Sequence, residues 1–538
     1  MRWMERTEEE AGGKRATVEV MILVALVLFL LPEALVYAAP LVVTNLNDSG
    51  PGSLRQTIAT AGPTDVIEFS VTGTIVLTTG ELLVDKNLVI NGPGADQVTI
   101  SGNNTSRVFH ITAGDVEISG LTIANGIAEE AGGGVYLLYP GTEGKLTIRK
   151  SVVRDCSTNL ADPFYFGGGV TVLGEVELFL IDSSVLNNSA GQGGGIYSGW
   201  GATVTNTTVR GNKASSGGGA VLGGNVSVTR SNVIGNSAAE GAGLFLVPIS
   251  SRRTFNVTNT TVSGNTIVEG SVGSGGGILS RGNLTLINST LSNNSVPFRG
   301  GGIANGGTLR VIHSTISNNN AQAGGGVRSD GANSTVELTN TILASNTGGD
   351  CSTQTQVSSL GHNLDSDGTC VLTGTGDLSN ANPMLAPLAD YAGPTFTRAL
   401  LSGSPAINHV PAASCELTTD QRGAARPQGL GCDIGSYEAG VPCTSLVDAS
   451  YVGASSMLNL GLTVGAVQPG ITWNLWLSLQ NTTTRWWSIP IPVVDPPIRL
   501  KIPLAGFPNA GSIGFLSTMT TTGGGIVCSE WKTVDTTP

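Results

Sequence analysis

The stretch 275-GGGILSRGNLTLINSTLSNNSVPFR-299 runs directly into 300-GGGIANGGTLRVIHSTISNNNAQA-323, and the second repeats the first in the same order. Each holds three glycines, an apolar residue, a Gly or Asn turn, an alternating run such as Leu309-Arg310-Val311, and a Thr-Leu-Ser-Asn-Asn or Thr-Ile-Ser-Asn-Asn segment. The apolar period is two, which argues for short strands. Further out, such blocks begin at Gly132, Gly167, Gly193, Gly217, Gly241 (as Gly-Ala-Gly), Gly275, Gly300 and Gly324, mostly 24 to 26 residues apart. Self-similarity at that period is the mark of a solenoid. The two longer intervals carry the insertions 157-STNLADPFYF-166 and 247-VPISSRRT-254, expected to bulge from one side of a stacked array.

Aligned copies place Ala202/Val204, Val226/Val228, Phe255/Val257, Leu284/Leu286, Leu309/Val311 and Val336/Leu338 in one register, with polar residues between them facing out. A single rung buries little, so the core is the column. A second column runs through Asn188, Asn212, Asn236, Asn265, Asn294, Asn319 and Asn346. Asn tolerates the left-handed conformation of a tight corner, and stacked amides can hydrogen-bond from rung to rung, so these residues are read as structural corners. Short strands, a period near 24 residues and no intervening helix predict an all-β chain, a right-handed parallel β-helix solenoid of some twelve rungs. Leucine-rich repeats share the period but need a denser Leu skeleton. An open first rung exposes core and strand edges. In 47-NDSGPGSLRQTIATAGPTDVIEF-69, Ser53 with Gln56 three residues on, and Leu54 with Ile58, predict a short capped helix as a lid.

Of 538 residues, 76 are Gly and only 12% are charged; the net charge is −12. No basic field is present to hold nucleic acid. Lys14 and Arg15, the apolar run Val20 to Leu31 and the small residues around Val36-Tyr37-Ala38-Ala39 read as a signal peptide over residues 1–38, the run being too short to span a bilayer. The expected location is therefore extracellular or cell-surface, with no transmembrane span in the mature chain. Six of seven cysteines follow the repeats, in keeping with an oxidising compartment. Sequence neighbours are expected to pair, Cys351 with Cys370, Cys415 with Cys432 and Cys443 with Cys528, although six cysteines allow 15 pairings. Cys156, alone within the repeats, reads as a small turn or core residue.

Residues 39–345 are thus assigned to the capped helix and 346–440 to a segment that continues or caps it. The last hundred residues differ: five of seven Trp fall there, at Trp473, Trp476, Trp486, Trp487 and Trp531. Alternation in 471-ITWNLWLSL-479 and 498-IRLKIPL-504 predicts a small β-sandwich over 441–538, with the prolines on edge strands or connections.

Several of these motifs carry a resemblance. The run 52-GSLRQTI-58 resembles the CSLREA motif at the start of exported bacterial β-helix proteins, with Gly52 in place of the cysteine. The following 86-KNLVINGPGADQVTISGNN-104 and 118-ISGLTIANG-126 are similar to the first rungs of that group. The Gly-Gly-Gly-Ile and Asn-rich repeats resemble those of the pectin-lyase-like superfamily and, more loosely, polymorphic outer-membrane protein repeats. The stretches 361-GHNLDSDGTC-370, 382-NPMLAPLADYAGPTFTRALLSGSPAIN-408 and 420-DQRGAARPQGLGCDIGSYE-438 look like a choice-of-anchor Q domain. The resemblances cover roughly residues 40 to 440, imply an exported surface β-helix protein and carry over no catalytic residue.

Chemistry on this fold has requirements. A lyase needs acidic groups for Ca²⁺ and a basic residue; an inverting hydrolase needs two spaced carboxyls. The column Asp182, Asn206, Arg230, Asn259, Asn288, His313, Asn340, read as surface, is mostly amide; Asp155 and Asp182 are a candidate carboxyl pair across rungs. No catalytic residue is assigned, and neither a metal nor another cofactor is expected. His362 is read as structural, 363-NLDSDG-368 as a solvated turn rather than a calcium loop, and Asp420 with Arg422 or Arg426 as an internal pair holding its segment against the last rung. Trp476, out of phase with its neighbours, with Trp486 and Trp487, is the candidate carbohydrate platform. The expected function is a non-enzymatic adhesive or carbohydrate-binding protein; the alternative is a polysaccharide lyase or glycoside hydrolase beside the two insertions. Acidic residues grouped near Arg252 and Arg253 would favour the alternative, an amide and hydroxyl surface the first.

Overall fold

In the computed structural model of the chain, the described residues are 40–440 apart from 161, 163, 249–252, 332 and 355, followed by seven strands between 446 and 535. The residues before 40, including the expected signal peptide, lie outside them.

Alternating apolar residues make short strands, and each coil supplies them in a fixed order. A twelve-stranded parallel sheet takes one strand per coil, from Gly73–Val76 through Thr208–Arg210 and Thr315–Ser317 to Leu364–Asp365. A second, 22-stranded sheet holds the rest of each coil's wall, as an entry strand such as Ile196–Ser198 and an exit strand such as Gly201–Thr205. A short four-stranded sheet, Ser189–Gln192, Lys213–Ser216, Ser237–Ala238 and Thr266–Ile267, adds a third wall to the middle coils. The result is a parallel β-solenoid of about twelve turns, nearly all β. Among the described residues helix is confined to Leu54–Thr60 and the turn Ala412–Ser414.

The register follows the aligned copies. Ala202 pairs with Val226, Val226 with Phe255, Phe255 with Leu284, Leu284 with Leu309 and Leu309 with Val336, and all are buried. Helix Leu54–Thr60 starts at Ser53, whose hydroxyl accepts the Gln56 amide at 3.3 Å. Leu54 and Ile58 are buried, and Arg55 donates to the carbonyls of Gly80 and Glu81, fastening the helix to the first coils.

The asparagine column forms a continuous buried ladder. Asn319 Nδ2 donates to Asn346 Oδ1 at 3.0 Å and to Leu291 O at 3.1 Å, while its Oδ1 accepts the Asn294 backbone N–H and Nδ2. The pattern repeats from Asn188 to Asn346. At one end Cys156 N donates to Asn188 Oδ1; at the other, the Asp350 carboxylate accepts Asn346 Nδ2 at 2.8 Å. The left-handed backbone expected of these asparagines falls instead on the residue before each: Asn187, Gly211, Gly235, Gly264, Asn293, Asn318 and Ser345. A buried amide whose hydrogen bonds all run along the stack is held at the wall, while its exposed neighbour makes the corner.

The column read as surface also needs correction. Asp182, Asn206, Arg230, Asn259, Asn288, His313 and Asn340 all have positive φ and form the opposite corner, but Asn288, His313 and Asn340 are buried. What covers them is the segment following the last coil. Residues 351–365 complete that coil, and 384–440 then turn back along the outer face of the twelve-stranded sheet. Thr290 Oγ1 meets Thr397, Gln421 and Ser436 at 2.6 to 2.9 Å, Arg398 Nε donates to Ser292, and Thr395 Oγ1 donates to Asn259 O. An apolar cluster of Ile342, Ala386, Tyr391, Leu400, Val410, Ile434 and Tyr437 seals the contact. The segment therefore clasps several coils from the side, where the sequence reading set it against the last rung. Disulfide Cys351–Cys370 closes the loop of the last coil, and Cys415–Cys432 closes a loop within the covering segment.

Beyond 440, antiparallel strands form two sheets. Met457–Thr463 lies between Leu446–Val452 and Ile498–Pro503, and Ile471–Leu479 with Ser512–Thr521 lies between Ser488–Pro492 and Ile526–Asp535. The strand carrying Pro490 and Pro492 is an edge strand, as a residue without an N–H requires. No helix among the described residues is long and apolar enough to cross a membrane.

Candidate functional site

The glycine triplets do more than mark the repeat. The first glycine of each has positive φ, between 50° and 76°, and bends the chain from the third wall into the entry strand. A Cβ there would strike the outward side chain four residues on: at Gly217 it would lie 2.3 Å from Val221 Cγ2, at Gly241 2.8 Å from Phe245 Cβ. The third glycine leaves room for the amide ladder, since a Cβ at Gly219 would be 3.1 Å from Asn236 Nδ2. The wall thus becomes concave, and a groove runs along the coils.

Outward residues of the entry strands form its floor: Tyr136, Thr171, Tyr197, Val221, Phe245, Leu279, Ala304 and Arg328, in continuous register. Although these side chains point away from the solenoid core, Val221, Phe245, Leu279 and Ala304 are buried and pack on one another. The residue before each triplet stands on one bank, and the residue six beyond its first glycine on the other. In the middle coils this gives a cleft of about 340 Å³ lined by Gln192, Tyr197, Ser216, Val221, Glu240, Phe245 and Arg281. Glu240 pairs with Arg281 at 3.2 Å and accepts the Ser216 hydroxyl at 2.9 Å. The Arg281 guanidinium lies 4.5 Å over the Phe245 ring, and Tyr197 packs on Phe166 with centroids 4.4 Å apart. Burial pushes the Tyr197 hydroxyl pKa up, so it remains a neutral hydrogen-bonding group.

At the groove's N-terminal end His110 stacks on Tyr136, Glu81 binds His110 Nδ1 at 2.8 Å and Arg107 at 2.5 Å, and Arg107 lies 4.7 Å over Tyr136. A second cleft, about 370 Å³, opens on the exit strands of the first coils between Thr64, Asn87, Asp115, Glu117, Lys145 and Thr147. There Glu117 pairs with Arg149 at 3.7 Å and Lys145 sits 4.9 Å over the Phe179 ring.

The remaining candidates are consumed by the fold. Asp155 follows the strand Val152–Arg154 and pairs with Arg154, while Asp182 precedes Ser184–Leu186 and binds Asn206, so the two occupy different corners. Asp365 accepts the amides of Gly368, Cys370 and Asn380, and Asp367 those of Asp350 and Thr369. Asn363 Nδ2 donates to Leu338 O, tying the turn beside His362 to the preceding coil. Burial, with Arg426 adding to it, lowers the His313 pKa to about 2, so that ring is neutral. Asp420 pairs with Arg422 at 2.6 Å, but Arg426 takes Glu438 at 2.9 Å. Among the described residues no group of three or more His, Cys, Asp or Glu is placed to hold a metal ion. Arg253 lies 5.1 Å over the Trp200 ring, and the Thr254 amide donates to Asn225. Arg252, Trp486, Trp487 and Cys443 lie outside the described residues, as do the side chains of Trp476 and Cys528. The floor was nonetheless readable, at the fourth residue after each first glycine; alternation alone marked those positions as solvent-facing.

Compared with family models, curated proteins and solved structures, the chain matches none.

Proposed function

We propose that this chain is a non-catalytic β-helix protein, exported to the cell surface or beyond, that binds polysaccharide in the groove beside its glycine triplets. The observation carrying this reading is the column of outward, mutually packed apolar and aromatic side chains at Tyr197, Val221, Phe245 and Leu279, flanked by hydroxyl, amide and paired charged groups. Aromatic rings bordered by polar groups suit sugar rings, which have apolar faces and hydroxyl edges. Two disulfides fit an oxidising compartment. The likeness of 52-GSLRQTI-58 to the CSLREA motif, of the repeats to the pectin-lyase-like superfamily, and of 361–438 to a choice-of-anchor Q domain points the same way.

The second reading, a lyase or hydrolase, is favoured by one feature, the cleft that gathers Asp115, Glu117 and Lys145. The two separate in one experiment. Purified protein is incubated with plant and bacterial polysaccharides, and retention is read alongside unsaturated products and reducing ends. Retention without turnover is expected; turnover that Lys145→Ala abolishes would establish the second reading.

A further inference from the structure

Resting on the carbohydrate-binding reading of the groove, we infer that its occupant is an uncharged, ribbon-like β-1,4-linked glycan lying along the stacking direction of the coils. The floor is not uniformly aromatic. From Tyr136 to Phe245 rings recur on every second coil, at Tyr136, Tyr197 and Phe245, with Thr171 and Val221 between them in direct register; His110 adjoins Tyr136 at one end, and Leu279 follows Phe245 at the other. Strands stack about 4.8 Å apart, so successive rings stand roughly 9.6 Å apart along the groove. That is about one disaccharide of a diequatorially linked chain, in which every second sugar presents the same face. An α-1,4-linked glucan coils and turns its faces away, so it could meet only one of these rings squarely.

Charge sets the second constraint. In the central cleft the charges are Glu240 and Arg281, paired at 3.2 Å, and the other polar side chains are the Gln192 amide and the hydroxyls of Tyr197, Ser198 and Ser216. The cleft is therefore electrically balanced in a chain of net charge −12, and complementary to a neutral, hydroxyl-rich ligand rather than to a polyanion. Phe245 is only 5% exposed: its floor neighbours Val221 and Leu279 pack against it and Arg281 lies over its ring. The Arg281 side chain is itself 55% exposed, so a sugar ring reaches Phe245 by taking its place. Tyr136 is covered in the same way by Arg107, whereas Tyr197 has no cation over it among the described residues.

The test uses the full chain, calorimetric titration, and β-1,4-linked gluco- and N-acetylglucosamine oligosaccharides of two, four and six units beside the α-1,4-linked gluco-series. Affinity for the β-1,4 series should rise at least tenfold from two units to six, as a second ring is engaged, and exceed that for the α-1,4 hexamer. Tyr197→Ala should weaken the hexamer about tenfold, the scale of one aromatic contact. Tyr197→Phe should retain binding, and Arg310→Ala, on the exit strands, should not change it. Equal binding of the α-1,4 series, lost with Tyr197→Ala, would overturn the ligand class while leaving the groove as the site. Retention of polyanions alone would also overturn the class. Binding of the β-1,4 series that Tyr197→Ala leaves intact would place it elsewhere and overturn the inference. Absence of binding to every carbohydrate would remove both this inference and the reading beneath it.

Discussion

Asn318 and Asn319 are chemically identical neighbours with unlike duties, and replacing each by alanine tests the ladder directly. Asn318 is exposed with φ 58°; Asn319 is buried. Asn319→Ala removes four hydrogen bonds: Nδ2 to Asn346 Oδ1 and to Leu291 O, and Oδ1 from Asn294 N and Nδ2. Two of the orphaned groups keep another bond, since Asn294 Nδ2 still reaches Val262 O and Asn346 Oδ1 still accepts Asn319 N. The Asn294 backbone N–H is left without its only partner. One buried unpaired donor costs about 1–3 kcal/mol, and each of the other three lost bonds about 0.5–1.5 kcal/mol, so a total of roughly 3–7 kcal/mol is expected. Asn318→Ala loses only ease in the left-handed region, about 1 kcal/mol. Guanidinium unfolding would give the ordering, and hydrogen exchange at the Asn294 amide would localise it, because stacked repeats need not unfold in one step. If both variants cost about 1 kcal/mol, or exchange at Asn294 stayed unchanged in Asn319→Ala, the ladder would not be a principal support of the solenoid.

Three further outcomes are expected. Burial and the neighbouring Glu438 raise the Asp433 pKa from 3.8 to about 7, so its contribution to stability is full below the unfolded value and is lost as pH rises through about 7. Denaturant midpoints should fall between pH 5 and pH 8, and Asp433→Asn should flatten that slope; an unchanged slope would show that the proton is held elsewhere. Burial pushes the Cys156 thiol up to about 12, so site-resolved mass spectrometry should find it unalkylated at pH 8 until denaturant is added. Gly217→Ala should cost more than Gly235→Ala, although both glycines have φ 64°, because only the first would place a Cβ 2.3 Å from a side chain, Val221 Cγ2, while the second has open space. Equal losses in unfolding midpoint would mean that the groove floor yields to a methyl group.

The coil and its register were legible because both depend on local alternation and fixed spacing. Leu284, Leu309 and Val336 recur in phase, and parallel strands of equal length admit one pairing that keeps every apolar side chain inside. The amide column was legible for the same reason, although the sequence could not say whether Asn318 or Asn319 faced inward. Three things depended on contacts that no local pattern announces. Thr261, Thr290 and Thr315 look like solvent-facing hydroxyls in any window of sequence, and they are buried because residues 396–436 return to cover them. Arg426 takes Glu438 and leaves Asp420 to Arg422, a choice made by how the covering segment folds on itself. The groove required Tyr197, Val221 and Phe245 to be stacked before their outward position became a shared recess. The sequence by itself determined the coil, because a two-residue period acts within one repeat and backbone pairing joins each repeat only to the next; the face that is covered and the face left open were decided only by the tertiary structure, because burial depends on what arrives from elsewhere.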